Sequence, residues 1–348
     1  MNKTSIVFLY AEVTPYLLGC INFFNENNKN ISLTIIYNKV FPTLDLESQN
    51  ADFICRNEFK TKTSLLFEIK KLNPNILLVS GRMDPYYLYV SRKLRKSSIR
   101  VCLFDTMYRR NFTQYLKKIF SGILYKPYFD YMWGVGSLQI AFAKEIGYKM
   151  EKIKSGFYVA DTIFFKNFFQ PNFTSTNFKF LFIGRLVKEK NIIKLAQVID
   201  KINFEFNSNH RLGVIGEGKI LDDILKFHCI DYLGLKNQQQ IIKISKSYHA
   251  FCLPSVYEPW GVVIHEMTAL GLPILSSNKC GAAIDLVIEG ENGYKFDPYR
   301  FESIYNAIVT YIKLPYTKKT AMSLNSNKIA RNINHESWNN TLLSFLNY

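Results

Sequence analysis

Short apolar runs alternate with helical patterns along the whole 348-residue chain. In the first half, runs of β-branched and aromatic residues predict strands, and residues 64–72 and 86–96 have the spacing of amphipathic helices. The predicted strands are residues 6–10, 32–37, 76–80, 100–105 and 131–135. Such alternation is typical of a parallel sheet covered by helices.

A passage rich in phenylalanine and asparagine, Phe164 to Phe178, breaks this periodicity and contains Pro171. We therefore predict an interdomain linker there. Beyond it the alternation begins again, which predicts a second open α/β sheet with ligands beyond the carboxyl ends of its strands. The predicted strands are residues 179–183, 212–215, 230–233, 249–253 and 273–276, and the predicted helices are 191–202, 237–247, 261–270, 301–312, 317–330 and 335–347.

Length and a hydrophobic content of 48% are sufficient for two folded domains. We place an N-terminal domain at residues 1–162, a second domain at 163–330, and a C-terminal helical segment at 331–348 that packs back toward the first domain. The N-terminal apolar run, residues 6–10, is too short for a signal peptide, and no stretch reaches the ~18–20 apolar residues of a membrane span. The sequence therefore predicts a soluble, cytoplasmic protein. Six cysteines without a C-x-x-C pair predict buried free thiols.

The net charge of +16 is concentrated in the first half, where residues 1–165 carry 23 basic and 13 acidic side chains. Two interpretations stay open: a solvated face beside ordinary core aromatics, or peripheral contact with an anionic membrane or a phosphate-bearing acceptor. The basic residues are Arg92, Lys93, Arg95, Lys96, Arg100, Arg109, Arg110, Lys117, Lys118 and Lys126, and the aromatic residues among them are Tyr86, Tyr87, Tyr89, Phe112, Tyr115, Phe120 and Tyr125.

Two strands of the second half end in glycine-containing turns. One runs into Gly184, Arg185 and then Lys190, and two cations at this spacing can converge on one anion, such as a diphosphate. The other ends in Gly216 and Gly218, which bring backbone N–H groups near a ligand. The alternative interpretations are solvated cations and a simple turn, because this second motif does not complete a dinucleotide-binding fingerprint.

The segment from Ser255 to Leu275 combines the start of a predicted helix with two glutamates. Gly261 opens a predicted helix, so that the free N–H groups near Gly261 and Val262 can meet a phosphate. Glu258 precedes this helix and Glu266 lies within it, and a carboxylate is a good acceptor for the hydroxyls of a sugar. The alternative is that Glu258 caps the helix and Glu266 is an exposed helix residue.

Taken together, these motifs resemble the retaining glycosyltransferases of family 4, also described as glycosyl transferases group 1. Their C-terminal domain has a G-R-L with a following lysine, a G-x-G turn, and an E-x7-E element followed by a G-x-P-[IV] strand, all of which occur here in order. The resemblance is close over residues 150–312. In the N-terminal half it is limited to the general arrangement of strands and helices. It implies the GT-B fold, an α/β architecture of two Rossmann-like, doubly wound parallel-sheet domains facing a central cleft.

The resemblance also implies roles for individual residues. Arg185 and Lys190 would bind the donor diphosphate, Glu258 would contact the donor sugar and Glu266 the ribose. The implied catalytic set is Arg185, Lys190, Glu258 and Asp105, and the implied donor-binding set is Gly19, Gly184, Gly216, Gly261, Val262 and Glu266. Two positions depart from the family pattern, because Gly19 lacks a neighbouring glycine and Phe104 replaces the histidine that precedes Asp105 in many members.

The function implied is transfer of a hexose from a UDP-, GDP- or ADP-sugar to a surface glycan, such as lipopolysaccharide, or to a lipid-linked acceptor. The nucleotide sugar is a co-substrate, and no metal or nucleic-acid partner is expected. Asp222–Asp223 and residues 45–47 come nearest to a metal motif but lack its context. Two alternatives remain: a sugar-nucleotide epimerase of the same fold, and a basic nucleic-acid-binding α/β protein suggested by charge alone.

Overall fold

The computed structural model describes residues 4–41, 44, 46, 51–109 and 112–347. The chain divides into two compact units, the first formed by Met1–Asp161 with Ile333–Tyr348 and the second by Thr162–Asn332. From the sequence, the domain boundary was expected between residues 162 and 163, and residues 331–348 were expected to return to the N-terminal domain.

The first unit is an open parallel sheet with helices between its strands. Its described residues form seven parallel strands in the order β3-β2-β1-β4-β5-β6-β7. The strands are β1 (Thr4–Val13), β2 (Ile31–Val40), β3 (Asp52–Cys55), β4 (Ile76–Ser80), β5 (Ile99–Phe104), β6 (Tyr131–Gly134) and β7 (Ile153–Lys154); the helices are α1 (Pro15–Asn27), α2 (Lys62–Leu72), α3 (Pro85–Lys93), α4 (Phe112–Ile119), α5 (Ser121–Leu124) and α6 (Ser137–Glu145).

The second unit repeats the same architecture with its own sheet. Its described residues form six parallel strands in the order β10-β9-β8-β11-β12-β13. The strands are β8 (Lys179–Ile183), β9 (Arg211–Ile215), β10 (Ile230–Gly234), β11 (Ala250–Leu253), β12 (Ile274–Ser277) and β13 (Gly293–Phe296); the helices are α7 (Thr162–Lys166), α8 (Ile192–Phe206), α9 (Leu221–Ile224), α10 (Gln238–Ser245), α11 (Val262–Leu270), α12 (Gly281–Leu286), α13 (Phe301–Lys313) and α14 (Tyr316–Ala330).

The C-terminal helix of the chain, α15 (His335–Ser344), belongs to the first unit and packs against α1. Trp338 is fully buried, stacks on Phe8 with ring centroids 6.2 Å apart, and donates from Nε1 to the Phe157 carbonyl at 3.1 Å. Trp133 completes this aromatic cluster at 5.3 Å from Trp338. Since a buried indole N–H needs an acceptor, this hydrogen bond fixes the orientation of the ring.

The prediction of two consecutive parallel α/β sheets is confirmed. The central strands are buried on both faces, which is why their sequences are continuous apolar runs. Three strands, β3, β7 and β13, were not predicted, because strands of two to four residues at a sheet edge are too short to show a periodic pattern. Helices α1, α4, α5, α6, α7, α9 and α12 were also missed.

The passage from Phe164 to Phe178 is not a free linker. It begins in α7 and lies within the second unit. Phe164, Phe173 and Phe178 are buried, and the Phe169 amide donates to the Leu270 carbonyl at 3.0 Å. The phenylalanines that break the periodicity therefore cover the second core.

Several residues of the basic and aromatic region are core residues. Arg100 is 1% exposed and is held by Asp130, with Nη2 and Oδ1 2.7 Å apart, so it contributes no surface charge. Tyr87 and Tyr125 are also buried. Arg110 lies outside the described residues. Among the cysteines, the expectation of buried free thiols holds except at Cys55, which is half-buried.

Among the residues that the structure places, none of the helices combines the length and the apolar character that crossing a bilayer requires.

Two histidines accept backbone hydrogen bonds where β8 begins. The amide of Phe178 donates to Nδ1 of His210 at 2.9 Å, and the amide of Lys179 donates to Nδ1 of His249 at 2.8 Å. Burial, with the neighbouring His249, lowers the pKa of His210 to about 4, and burial lowers the pKa of His249. Both rings are neutral in the folded protein at pH 7, because an Nδ1 that accepts carries no proton.

We predict that the second unit loses stability as the pH falls from about 6.5 toward 4. The unfolded chain then binds a proton at His210 that the folded chain excludes, so this contribution is complete above the unfolded pKa and is lost below it. His210→Asn keeps an acceptor but does not titrate. Urea unfolding across this pH range should show a shallower loss in His210→Asn than in the wild type, and equal slopes would contradict the prediction.

Candidate active site

The loop after β8 carries three of the residues singled out from the sequence. Gly184 leaves the strand, Arg185 follows with an exposed side chain, and Lys190 ends a short 3-10 helix, Lys188–Lys190. The side chain of Lys190 folds back toward the start of the loop, so that a Cβ placed on Gly184 would lie 3.7 Å from its Cε. The two predicted cations thus come from one short loop at the carboxyl edge of the sheet.

The glycines of these turns serve close backbone packing. Gly216 has a φ of +140°, and a Cβ placed on it would lie 1.9 Å from the Gly184 carbonyl oxygen. Gly218 has a φ of +156°, and its Cβ would lie 2.2 Å from the Leu186 carbonyl oxygen. The loops after β8 and β9 therefore lie backbone against backbone, which only glycine allows at these two positions.

The loop after β11 meets the loop after β8 through an ion pair. Lys190 Nζ donates to Glu258 Oε2, and the two side chains are only 14% and 16% exposed. The Val256 amide also donates to the Glu189 carbonyl at 2.9 Å. The structure therefore brings Lys190 and Glu258, two residues far apart in the chain, into direct contact.

Helix α11 begins beside this pair. Gly261 precedes the helix with a φ of +89°, and a Cβ there would lie 3.0 Å from Glu258 Cγ. The helix has no acidic residue in its first turn and no side-chain cap, so its first N–H groups and the positive end of its dipole are available to an anion. Val262 opens α11, and Glu266, half-buried, lies one turn further along the same face.

The loop after β12 holds the backbone of Glu258 in place. The Glu258 amide donates to the Lys279 carbonyl at 3.1 Å, and the Gly281 amide donates to the Glu258 carbonyl at 3.0 Å. A Cβ on Gly281 would lie 2.2 Å from the Pro259 carbonyl oxygen. The loops after β8, β9, β11 and β12 thus form one continuous edge.

Trp260 is a further residue that was not singled out from the sequence. Its side chain is 2% exposed, and its Nε1 has no hydrogen-bond partner within the described part of the chain. An unsatisfied buried N–H has a free-energy cost, so Trp260 is held in place by the packing around its ring. Its place between Glu258 and Gly261 could have indicated it from the sequence.

In the first unit, Asp105 lies directly after β5 rather than within a strand. It is half-buried, and its carbonyl accepts from Gln139 Nε2 at 2.8 Å. It lines a cavity of about 300 Å³ at the carboxyl ends of β1, β4 and β5. Three tyrosines with hydrogen-bonded hydroxyls line the same cavity, namely Tyr10, Tyr16 and Tyr158.

These tyrosines are protonated at neutral pH, and burial moves their pKa values further above neutrality. Burial raises the pKa of Tyr16 to about 12, and burial also raises the pKa of Tyr10 and Tyr158, with Asp105 adding to each shift. Their hydroxyls therefore donate hydrogen bonds at neutral pH. The cluster could not be identified from the sequence, because the tyrosines come from distant segments with no motif in common.

Gly19 does not lie in a loop or at a helix start. It is inside α1, and a Cβ there would lie 3.0 Å from His335 Cε1 and 3.1 Å from Asp161 Oδ2. The absence of a side chain lets α1 pack closely against α15. This packing explains the glycine without a donor phosphate, so the structure gives no support to Gly19 as a donor-binding residue.

The two candidate metal motifs gain no support. Asp223 lies in α9 and pairs with Lys226 at 2.8 Å. Asp45 and Glu47 lie outside the described residues. Within residues 4–41, 51–109 and 112–347, no three histidine, cysteine or acidic side chains are grouped closely enough to hold a metal ion.

We predict that Gly216→Ala destabilises the second unit by about 3 kcal/mol or more, because the new methyl group would overlap the Gly184 carbonyl. Gly290→Ala is the matched control: its φ is +75°, but nothing lies within 4 Å of the added Cβ. The control should lose only the strain of a left-handed alanine, about 1 kcal/mol. Urea unfolding compares the two, and equal losses would show that the loop contact is not tight.

Comparison with known proteins places this geometry in a family. Residues 164–331, which contain the whole edge formed by the four loops, match the profile of the glycosyl transferases group 1. An uncharacterized glycosyltransferase of Methanocaldococcus jannaschii is 31% identical over 131 residues, covering 36% of this chain and 33% of that protein. The capsular polysaccharide biosynthesis glycosyltransferase CapM of Staphylococcus aureus is 31% identical over 141 residues, covering 38% of this chain and 36% of that protein. The matches thus span about a third of these relatives.

The structural similarity to known proteins covers more of the chain than the sequence similarity does. Anabaena HepE, solved in complex with UDP and glucose, is similar with a TM-score of 0.76 at 16% identity, covering 99% of both chains. At this identity the likeness shows the fold. Residues 164–331 therefore belong to the glycosyl transferases group 1 family, and they are part of a chain that has the GT-B fold of known glycosyltransferases.

Proposed function

We propose that the protein is a retaining, metal-independent glycosyltransferase that moves a sugar from a UDP-sugar to a glycan or lipid-linked acceptor in surface polysaccharide synthesis. The observation that carries the proposal is the edge formed by Arg185, the Lys190–Glu258 pair and the uncapped start of α11. Support for the donor comes from HepE, whose solved complex contains UDP and glucose. Support for the process comes from the name of CapM.

The proposed donor site has a net attraction for a diphosphate. Lys190 and Glu258 balance each other, so the exposed Arg185 and the α11 N-terminus supply the unbalanced positive charge. A diphosphate there would accept from the α11 amides and from both cations. Negative charge grows on the diphosphate as the glycosidic bond breaks, and fixed positive groups stabilise that state more than the ground state.

Glu258 is placed to act on the other side of the breaking bond. Its carboxylate is held by Lys190 and its backbone by the loop after β12, so its position is fixed before the donor arrives. In the proposed complex, the carboxylate accepts from the donor sugar's hydroxyls and favours the positive charge that develops at the anomeric carbon. Glu266, one turn along α11, accepts from the ribose in this scheme.

The acceptor would occupy the tyrosine-lined cavity of the first unit. The cavity offers hydroxyl donors from Tyr10, Tyr16 and Tyr158 and a carboxylate from Asp105. Aromatic faces combined with fixed donors and acceptors suit a sugar, which presents both apolar C–H faces and hydroxyls. The replacement of the family's histidine by Phe104 leaves Asp105 as the titratable group at this position of the cavity.

We predict that Arg185→Ala and Lys190→Ala each lower the turnover of UDP-glucose by about 100-fold or more, since each removes a charge that faces the leaving diphosphate. Lys188→Ala is the matched control, because Lys188 is exposed in the same 3-10 helix. It should stay within about twofold of the wild type. The turnover rates are measured as the release of UDP, with and without an octyl glycoside as acceptor. The measurements are repeated in the presence of EDTA.

Further measurements test the rest of the proposal. NMR of the product should show the anomeric configuration of the donor, and UDP should raise the melting temperature more than GDP or ADP because a ligand of the folded state stabilises it. A product formed from donor alone would indicate an epimerase. Loss of turnover in EDTA would contradict metal independence, and near-normal turnover in both Arg185→Ala and Lys190→Ala would contradict the site.

We predict that Asp105→Asn raises the KM for the octyl glycoside acceptor by about tenfold, because a carboxylate that accepts from a sugar hydroxyl is lost. The slow hydrolysis of UDP-glucose without acceptor should not change, since it depends on the donor site. Glu26→Gln is the control, because Glu26 is an exposed carboxylate of α1 in the same unit and is not among the residues that line the cavity. An unchanged acceptor KM in Asp105→Asn would remove Asp105 from the acceptor site.

A further inference from the structure

Arg82 is a basic residue in the cavity at the carboxyl edge of the first sheet. Among the described residues that line this cavity, two side chains are acidic, Glu12 and Asp105, and one is basic, Arg82. Arg82 follows Gly81, which has a φ of +63° and turns the chain away from the end of β4. The Gly81 amide donates to the Leu103 carbonyl of β5 at 2.8 Å, so the start of this loop is fixed by the neighbouring strand.

No carboxylate pairs with Arg82 in the part of the chain that the structure describes. Asp84, the acid nearest to it in sequence, is engaged elsewhere. One oxygen of Asp84 accepts from the Tyr86 amide at 2.7 Å, at the start of α3. The other accepts from Asn38 Nδ2 at 2.9 Å and lies 3.7 Å from Arg56 Nε. Arg82 is half-buried, and a partly buried charge without a counter-charge has a desolvation cost.

The contacts of Arg82 hold its side chain but do not neutralise it. The guanidinium lies over the Tyr125 ring, 4.9 Å from the centroid, and hydrogen-bonds to the Tyr125 hydroxyl. A ring attracts a cation through its quadrupole and leaves the formal charge in place. A guanidinium has five N–H donors in one plane, a geometry that matches two oxygens of a carboxylate or a phosphate. Most of these donors stay available to a ligand.

The acidic and basic side chains of the cavity act on different tyrosines. Burial raises the pKa of Tyr16 to about 12, and Asp105 and Glu12 add to this shift. Burial also raises the pKa of Tyr125, but the charge of Arg82 opposes that rise. The site therefore has an acidic end beside Tyr16 and a basic end where Arg82 meets Tyr125.

We propose that the acceptor carries a negatively charged group, a carboxylate or a phosphate, and that this group binds Arg82. The inference rests on the proposed glycosyl transfer, because it names the class of acceptor for the same cavity. Arg82 donates to the charged group, while Asp105 accepts from a hydroxyl of the sugar at the acidic end. The charged group takes no part in the transfer and only positions the acceptor, so Arg82 is a specificity-determining residue.

A neutral acceptor would leave this cation without a counter-charge in the complex. A bound ligand removes water from the Arg82 guanidinium, and an unbalanced charge is less stable in a site with little water than in solvent. A charge-assisted, bidentate hydrogen bond from a carboxylate or phosphate offsets that loss. Asp105 and Glu12 repel an anion at the other end, so the same charges fix the orientation of the acceptor.

The test compares three acceptors that differ only at carbon 6 of glucose: octyl glucoside, octyl glucuronide and octyl glucoside 6-phosphate. With UDP-glucose as donor, the wild type should have a KM about tenfold lower or more for a charged acceptor than for the neutral one. The two charged acceptors distinguish a carboxylate from a phosphate. Arg82→Gln should abolish the preference, and Arg82→Lys should keep part of it, because the charge stays and the planar donor pair is lost.

Arg92→Gln is the matched control. Arg92 is an exposed arginine of α3 in the same unit and is not among the residues that line the cavity. This variant should keep the wild-type ratio of the KM values. Equal KM values for charged and neutral acceptors in the wild type, or an unchanged ratio in Arg82→Gln, would overturn the proposal.

A binding measurement decides the case in which none of the three acceptors is glycosylated. In calorimetric titrations with saturating UDP, which occupies the proposed donor site, glucuronate and glucose 6-phosphate are compared with glucose. At least one charged sugar should bind the wild type about tenfold more tightly than glucose does, and Arg82→Gln should bind all three alike. Charged sugars that bind the wild type no more tightly than glucose, or not at all, would refute the role of Arg82.

Failure of the proposed function has a separate readout. If UDP is released with none of the acceptors, glycosyl transfer to these sugars is contradicted, whatever the titrations show. If UDP is released equally well with all three at matched concentrations below KM, transfer stands and the charge preference is refuted. The thermal shift with UDP shows in each variant that the protein is folded.

Discussion

The candidate site in the second unit depends on backbone contact between loops. Gly216 places its Cα against the Gly184 carbonyl, and Gly281 lies against the Pro259 carbonyl, each at a distance that leaves no room for a side chain. Because the loops touch through their backbones, their side chains project from a common edge. The Lys190–Glu258 pair then joins two of these loops by charge. A methyl group at either glycine would separate the loops and with them the charged residues.

The charges at this edge are arranged for a ligand more than for stability. A largely buried ion pair contributes little net stability, because the cost of desolvating two charges offsets their attraction. Beside it, the uncapped start of α11 and the exposed Arg185 leave positive potential without an internal partner in the contacts described for them. The residue before α11 is a left-handed glycine, which offers no side-chain cap to the first N–H groups of the helix.

The first unit uses the same sheet architecture for different surfaces. The carboxyl ends of β1, β4 and β5 hold a cavity lined by protonated tyrosines and Asp105. The outward face of α4 exposes apolar side chains, while its polar face is used for attachment. The first unit thus has a cavity at the carboxyl edge of its sheet and a separate exposed apolar face on α4.

Both parallel sheets and the motifs of the second unit could be predicted from the order of residues, because continuous apolar runs and glycines at strand ends are local features. Other points needed the folded chain: Lys190 contacts Glu258, Gly19 packs under His335, and Phe164 to Phe178 cover a core instead of linking domains. The burial of Arg100 and the outward direction of the apolar face of α4 also could not be predicted from the sequence. Burial and contact depend on which distant segments meet in three dimensions, and a local sequence pattern contains no information about those long-range contacts.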